Sequence, residues 1–347
     1  MLGLRAMNVV CRMRRSRRVR PPRCWPRWPW LALALALALP AWASHPGQRE
    51  LIAEVVRDTG QDPAALEALL DGAQKQPSIL EAMARPAEAK PWSAYRPIFL
   101  TPQRIDEGVA FYRTHRALIE DTARRYGVDP AYLVAILGVE THYGRITGRY
   151  KVLDALVTLA FYYPPRAAYF RSELKTLLEL PPDHLAGPLD ALTGSYAGAQ
   201  GWGQFMPSSI RDYAVDGDGD GRIDLKNSLP DILASVAHYF AGHGWVSGAP
   251  VAARAQPAAD ARAVPVADAR PQWPLEQLQA WGYAPLVPLD PALPSSLQTL
   301  EGPHGPEYWF TFDNFYVITR YNKSPLYAMA VHQLAQAIAA GVGDAGP

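Results

Sequence analysis

Ala135-Ile136-Leu137-Gly138-Val139-Glu140-Thr141-His142-Tyr143-Gly144 is the stretch that decides how this chain is read. Asp129-Pro130 ahead of it reads as a helix start, with Asp129 as N-cap and Pro130 at the first helical position. Val128 is placed to staple onto Leu133 across that cap. Leu133, Val134, Ile136 and Leu137 then predict a helix buried around most of its circumference, stopped by Gly144. One carboxylate, Glu140, stands near its end. Desolvation and the negative end of the helix dipole both favour the neutral acid there, so a raised pKa suited to a general acid is expected. A Glu in the last turn of an arbitrary helix usually points to water. The stretches around this helix decide between the two readings.

The 347 residues are 49% hydrophobic and 19% charged, a globular composition with room for one large or two ordinary domains. Ten tryptophans and 33 prolines point to rigid loops and flat aromatic surfaces, which suit the apolar faces of sugar rings. The formal charge of +1 hides an asymmetry: residues 1–43 carry nine arginines and no acid, which leaves 25 basic against 33 acidic residues, or −8, in the rest. A mature chain of that sign is a poor nucleic-acid binder. The arginines precede Leu31 to Leu39, alternating Leu and Ala, and then Ala41-Trp42-Ala43. Residues 1–43 therefore read as a secretory signal peptide, with an apolar core too short to span a bilayer. Cys11 and Cys24 both lie within it, and Cys24 precedes the apolar core, where a lipid anchor would not be placed. A soluble exported protein without disulfides is expected.

Helices are expected over Gln48–Thr59, Pro63–Gln74 with Asp62 as N-cap, and Ser78–Met83. Residues 91–96 read as a rigid aromatic loop containing Trp92 and Tyr95. One long helix is expected from Thr101 to Tyr126, ended by Gly127. Val152–Tyr162 and Ala167–Leu180 follow at helical spacing, separated by Pro164-Pro165. Thr193-Gly-Ser-Tyr-Ala-Gly-Ala-Gln-Gly-Trp-Gly-Gln-Phe-Met206 is neither helix nor ordinary linker. Its glycines let the backbone approach a ligand closely while Tyr196, Trp202 and Phe205 line the approach. Tight packing would use the same composition.

Asp216-Gly-Asp218-Gly-Asp220-Gly221-Arg222-Ile223-Asp224 carries the sharpest metal signal. Oxygen ligands at positions one, three and five, glycine at six and an apolar residue at eight match the calcium loop of an EF-hand. Position seven, which ligates through its main chain in such loops, is Arg222. Position twelve is Asn227 where a bidentate Glu is usual, and Asp231 is placed to close a lengthened loop. The expected ligand set is Asp216, Asp218, Asp220, Arg222 and Asp231, holding Ca²⁺ for structure rather than chemistry. Beyond it a helix capped by Asn227 or Ser228 runs to His243, residues 248–271 read as exposed loop, and Trp273–Tyr283 as a short helix followed by proline-rich chain to Pro303. Tyr308–Phe312 and Phe315–Arg320, joined by Asp313-Asn314, form a hairpin pattern. A final helix is expected from Leu326 to Ala340.

Gly138-Val-Glu140-Thr, Ser195-Tyr-Ala-Gly-Ala, Gly203-Gln-Phe-Met-Pro-Ser-Ser209, Tyr213-Ala-Val-Asp216 with its Asp/Gly loop, and Tyr321-Asn322 together resemble the membrane-bound lytic murein transglycosylase B family. In order and spacing they span roughly residues 75–340. The resemblance implies a mainly α (α+β) protein: a lysozyme-like helical core, a second helical lobe and a small inserted β subdomain. On this frame 1–43 is the signal peptide, 44–110 the N-terminal lobe and 111–249 the catalytic core with the EF-hand-like loop 216–231. Residues 250–320 make the loop-rich β subdomain, and 321–347 a cleft segment and returning helix. It further implies cleavage of the MurNAc–GlcNAc bond of peptidoglycan without water, leaving a 1,6-anhydro-muramoyl end. Glu140 becomes the single acid/base, with Tyr95, Arg166, Ser195, Gln204, Tyr321, Asn322 and Tyr327 in the glycan cleft. The expected partners are peptidoglycan glycan strands and the cell-wall synthesis machinery, met by a monomer in the periplasm. Two departures stand out: Pro165-Arg166 replaces a pair of arginines, and Gln200 replaces a methionine. A hydrolytic muramidase and a non-catalytic, calcium-stabilised murein-binding protein are the alternatives.

Overall fold

The computed structural model describes residues 44–84, 90–264 and 268–343; the expected signal peptide lies outside the described residues. Among the described residues no helix is long and apolar enough to cross a membrane. The fold is mainly helical, with a small five-stranded antiparallel sheet and a two-stranded one among the described residues.

Three short helices open the described residues: α1 (Gln48–Thr59), α2 (Pro63–Asp71) and α3 (Pro77–Met83). The Asp62 carboxylate caps α2 by accepting from the Ala64 N–H at 3.0 Å. The stretch expected as an aromatic loop is instead α4 (Trp92–Phe99), with Pro97 inside it. Trp92 and Tyr95, one turn apart, are both buried. Burying two aromatic rings outweighs the one backbone hydrogen bond that Pro97 removes.

The long helix expected from Thr101 is two: α5 (Pro102–Thr114) and α6 (Arg116–Tyr126), broken at His115. The break lets α5 pack on the C-terminal helix while α6 turns to pack on α11 (Leu229–Gly242). Gly127, in the left-handed region at φ 67°, ends α6.

Glu140 lies on α7 (Pro130–Thr141), of which nine residues are buried. A helix apolar on all sides belongs at the centre, and α5, α6, α11 and α14 (Pro325–Gly343) all contact it. Asp129 occupies the N-cap position but makes no side-chain cap. Its carboxylate accepts from the Trp245 indole at 2.9 Å and the Gly248 N–H at 3.2 Å instead, tying α7 to the segment after α11. The pair α8 (Val152–Tyr162) and α9 (Ala167–Glu179) packs together, and the two-residue strands β1 (Tyr150–Lys151) and β2 (Thr193–Gly194) bring the glycine-rich segment alongside. After α10 (Pro207–Tyr213) and the Asp/Gly loop, Ser228 caps α11 by accepting from the Asp231 N–H.

Residues 252–311 form the sheet, in the order β4 (Trp273–Pro274), β6 (Pro294–Gly302), β7 (Gly305–Thr311), β3 (Ala252–Pro257), β5 (Tyr283–Pro285), all antiparallel. The short helix α12 (Leu275–Ala280) covers its core of Leu275, Leu278, Leu297, Phe310 and Phe312. Three sequence expectations change here. Residues 252–257 are strand rather than loop, because alternate alanines, Ala253 and Ala255, carry the buried face without a strong hydrophobic signature. Likewise β6 emerges from what read as proline-rich chain, and it is the hairpin partner of β7, with Gly302 opposite Gly305. Phe315–Arg320 belongs to a helix, α13 (Asp313–Tyr321), not to a hairpin. Its Asn314 side chain accepts from the Val246 N–H and donates to the Val246 and Ala249 carbonyls, and Phe315 and Ile318 bury against the helical core.

Candidate active site and acidic loop

Glu140 is half-buried, one residue before the end of α7. The Tyr327 phenol, from the first turn of α14, donates to Glu140 Oε1 at 2.5 Å. Burial, and next the charge of Glu140, pushes the Tyr327 pKa well above its ordinary value, so this phenol stays a proton donor. Tyr321, at the end of α13, is raised in the same way by burial and by Glu140; its hydroxyl donates to the Gly203 carbonyl at 2.6 Å. A Cβ at Gly203 would stand 2.9 Å from that hydroxyl, which explains a glycine there. Tyr95 is buried at 2% exposure, with its ring 6.4 Å from that of Trp92 and 5.1 Å from that of Phe99, and it contributes least of the groups that raise the Tyr327 pKa.

The backbone after Glu140 is strained. His142 (φ 52°), Tyr143 (φ 57°) and Gln204 (φ 51°) are the non-glycine residues in the left-handed region among the described residues. Such strain persists where surroundings over-determine the conformation. Here His142 Nε2 meets Glu107 Oε2 at 2.5 Å, Arg145 donates to Glu107 Oε1 at 2.6 Å, and the Tyr143 hydroxyl donates to the Arg104 carbonyl. Hydrogen bonds from Gln103, then Arg145, hold the Glu107 carboxyl down at about 2. Arg104 in turn donates to the Gly138 carbonyl at 2.9 Å, one of the unpaired carbonyls at the end of α7.

The glycine-rich segment is a compact double turn. Ser195 Oγ accepts from the Ala197 and Ala199 N–H groups, which leaves its own proton to give. The Gln204 amide donates to the Gly201 and Thr147 carbonyls. Arg166, Tyr321 and Asn322 line a cavity of about 700 Å³ together with Tyr169, Tyr196 and Arg320. The Arg166 guanidinium lies over the Tyr169 ring at 4.6 Å. The structure thus brings Glu140, Tyr321 and Tyr327 together and puts Arg166 and Asn322 on the adjoining cavity, with Ser195 and Gln204 on the loop that Tyr321 holds. Sequence reading missed Glu107 and Thr141, whose partners come from distant parts of the chain, and the cationic wall of Arg320 and Lys323, which forms only where the cavity is assembled from several segments.

In the acidic loop Asp216, Asp218 and Asp231 bring one carboxylate oxygen each to within 4.8 Å of one another. Asp231 is buried at 1% exposure and accepts from the Gly217 and Asp224 N–H groups at 2.8 and 2.7 Å. Burial raises its pKa, whereas backbone hydrogen bonds, led by Gly221, lower that of Asp216. Asp220 lies outside this trio of carboxylates, and the ligand expected from Arg222 is its main-chain carbonyl, not its side chain. The Asp220 carboxylate turns back to accept from the Arg222 N–H at 2.8 Å, and Arg222 is exposed. Asn227, at position twelve, donates from its amide to Asp224 at 2.8 Å. Three hard oxygen donors, one of them desolvated, fit a hard divalent cation such as Ca²⁺.

A family model described as "Transglycosylase SLT domain" matches residues 44–336. The chain is similar to membrane-bound lytic murein transglycosylase B of Escherichia coli (strain K12), at 42% identity over 308 residues, 86% of this chain and 84% of that protein. Its structure is similar to that of soluble lytic transglycosylase SltB1 from Pseudomonas aeruginosa, with a TM-score of 0.80 and 44% identity over 86% of this chain and 100% of that one. It is also similar to the Escherichia coli lytic transglycosylase Slt35 solved in complex with calcium, with a TM-score of 0.79 and 40% identity over 87% and 96% of the two chains. Agreement of this extent in both sequence and fold makes the chain a lytic transglycosylase that belongs to the transglycosylase SLT domain family.

Proposed function

We propose that the enzyme cleaves the MurNAc–GlcNAc β-1,4 bond of peptidoglycan without water, with Glu140 as its single acid/base and a 1,6-anhydro-MurNAc end as product. The observation that carries this reading is the Tyr327–Glu140 hydrogen bond at the end of a buried helix. The Tyr327 phenol fixes the Glu140 carboxyl through Oε1, and the carboxyl exchanges a proton with the substrate. In the first step that proton goes to the leaving glycosidic oxygen as its bond to C1 breaks. In the second, the same carboxylate takes the proton of the sugar's O6 hydroxyl as O6 closes on C1. Tyr321, Asn322, Ser195, Gln204 and Arg166 hold the glycan, and Tyr95 and Tyr327 support it from the floor. Positioning of this kind replaces the second carboxylate that glycosidases ordinarily use.

Asp216, Asp218 and Asp231 would hold one Ca²⁺, which supplies charge compensation to the loop and no chemistry. The division into a lobe (44–110), core (111–249), β subdomain (250–320) and returning segment (321–347) is part of this proposal. So is a monomer working on glycan strands in the periplasm after removal of residues 1–43.

Glu140→Gln tests the acid/base role on purified sacculi. Turnover should fall by at least ~100-fold while sedimentation with sacculi is kept. Turnover within a few-fold of the parent enzyme would place the proton transfer on another group.

A further inference from the structure

Glu140 is one residue away from a set of hydrogen bonds that ends in the acidic loop. Thr141, 1% exposed, donates from Oγ1 to the Trp202 carbonyl at 2.9 Å, and its Oγ1 accepts from the Gly144 N–H at 3.1 Å. The Trp202 N–H donates to the Leu225 carbonyl at 3.0 Å. The residue before Leu225 is Asp224, whose N–H donates to Asp231 Oδ2. The other oxygen of Asp231 accepts from Gly217, between Asp216 and Asp218. A short, continuous chain of bonds therefore joins the three-carboxylate group to the end of α7.

Packing leaves this chain no slack. A Cβ on Gly144 would lie 2.2 Å from the Trp202 indole, and one on Gly201 would lie 2.3 Å from the Leu225 carbonyl oxygen. The Trp202 ring also meets Phe111 of α5 at 6.1 Å. Thr141 has a local alternative, the Leu137 carbonyl of its own helix at 3.3 Å, which any helical threonine can use. The shorter bond to Trp202 is the one that a merely helical role does not require. The strained pair His142-Tyr143 follows at once, so the direction of the Glu140 carboxylate depends on how firmly this turn is held.

We propose that Thr141 is a positioning residue for Glu140, and that the Asp216/Asp218/Asp231 loop sets its position through Leu225 and the main chain of Trp202. The proposal rests on Glu140 being the acid/base. Closing the three carboxylates around a cation draws in the Asp224-Leu225 segment, and that segment holds Trp202 against Thr141 and Gly144. Loosening either end lets the carboxylate drift from the bond it protonates, which lowers kcat and leaves glycan affinity alone.

The test combines two variants with a signal that is independent of activity. On soluble glycan fragments, well below the melting temperature, Thr141→Val should lower kcat about 10-fold with KM within twofold. Thr141→Ser, which keeps the donor, should stay within twofold of the parent enzyme. In the parent enzyme labelled with 5-fluorotryptophan, with Trp202 assigned through Trp202→Phe, adding calcium chloride alone should shift the Trp202 fluorine resonance. Three results would each overturn the proposal: kcat unchanged in Thr141→Val, no recovery in Thr141→Ser, or a Trp202 resonance indifferent to calcium. The fluorine signal needs no change at Thr141, so it decides the matter even where the valine chain does not fold. An active Glu140→Gln enzyme would remove the acid/base reading instead; an inactive one beside a fully active Thr141→Val enzyme would remove only this proposal.

Discussion

At the scale of single residues, Glu140 is prepared by groups that come from far along the chain. Its hydrogen-bond partner Tyr327 is 187 positions away, and Tyr321, whose phenol feels its charge, reaches across to Gly203. Tyr327→Phe keeps the ring and removes the donor. A hydrogen bond to a charged group contributes about 1.5–3 kcal/mol, so kcat should fall roughly 10- to 100-fold with little change in KM. Steady-state kinetics of the variant check this, and an unchanged kcat would remove Tyr327 from the mechanism. The placement of Glu140 in the last turn of a buried helix was legible in the sequence because the signal is local: a lone acid at the end of an apolar helix. Glu107, Thr141 and Arg104 were not legible. Each works by meeting a residue at least 34 positions away, and no periodicity or motif records such a meeting.

At the scale of elements, the acidic loop and the α7–α14 pair are where solution conditions should tell. Calcium that binds the folded loop and not the unfolded chain raises the melting temperature by mass action. Millimolar calcium should therefore stabilise the parent enzyme, and Asp218→Ala should abolish the rise. A thermal shift that survives in Asp218→Ala would move the site. Between α7 and α14, His332 is 3% exposed and its Nδ1 meets the Tyr132 hydroxyl at 2.7 Å. Burial lowers its pKa to about 4, so the fold prefers the neutral ring. The stability linked to this preference is present above pH 6.5 and is lost as pH falls towards 4, in all about 3 kcal/mol. Melting curves from pH 7 to 4 should show the loss in the parent enzyme and a shallower one in His332→Gln; parallel curves would contradict it. Glu107, held near 2, adds its own loss only below pH 4.5.

Elements were legible where one helix face or one cap carried the signal, as for α2 with Asp62 and α11 with Ser228. They were illegible where tertiary packing overrode composition. Aromatic, β-branched Phe315–Arg320 reads as strand, yet Phe315 and Ile318 fall on one helix face that the core needs. Alanine-rich β3 reads as loop, yet it pairs with β7 on one side and β5 on the other.

At the scale of the whole molecule, a chain that is net negative beyond residue 43 gathers Arg166, Arg320 and Lys323 on the cavity beside Tyr321 and Asn322. The helical core sets α7 at the centre, with the Tyr327 phenol on Glu140 and the Tyr321 phenol close enough to feel its charge. In the proposed reaction the nucleophile is carried by the substrate, its own O6, in place of an activated water. Digestion of purified sacculi in ¹⁸O-water, followed by mass spectrometry of the muropeptides, tests this most directly. Lytic cleavage predicts new muramoyl ends that are unlabelled, one water lighter than a muramidase product and resistant to borohydride. One ¹⁸O per cut with a borohydride-reducible end would contradict it and make the enzyme a hydrolase.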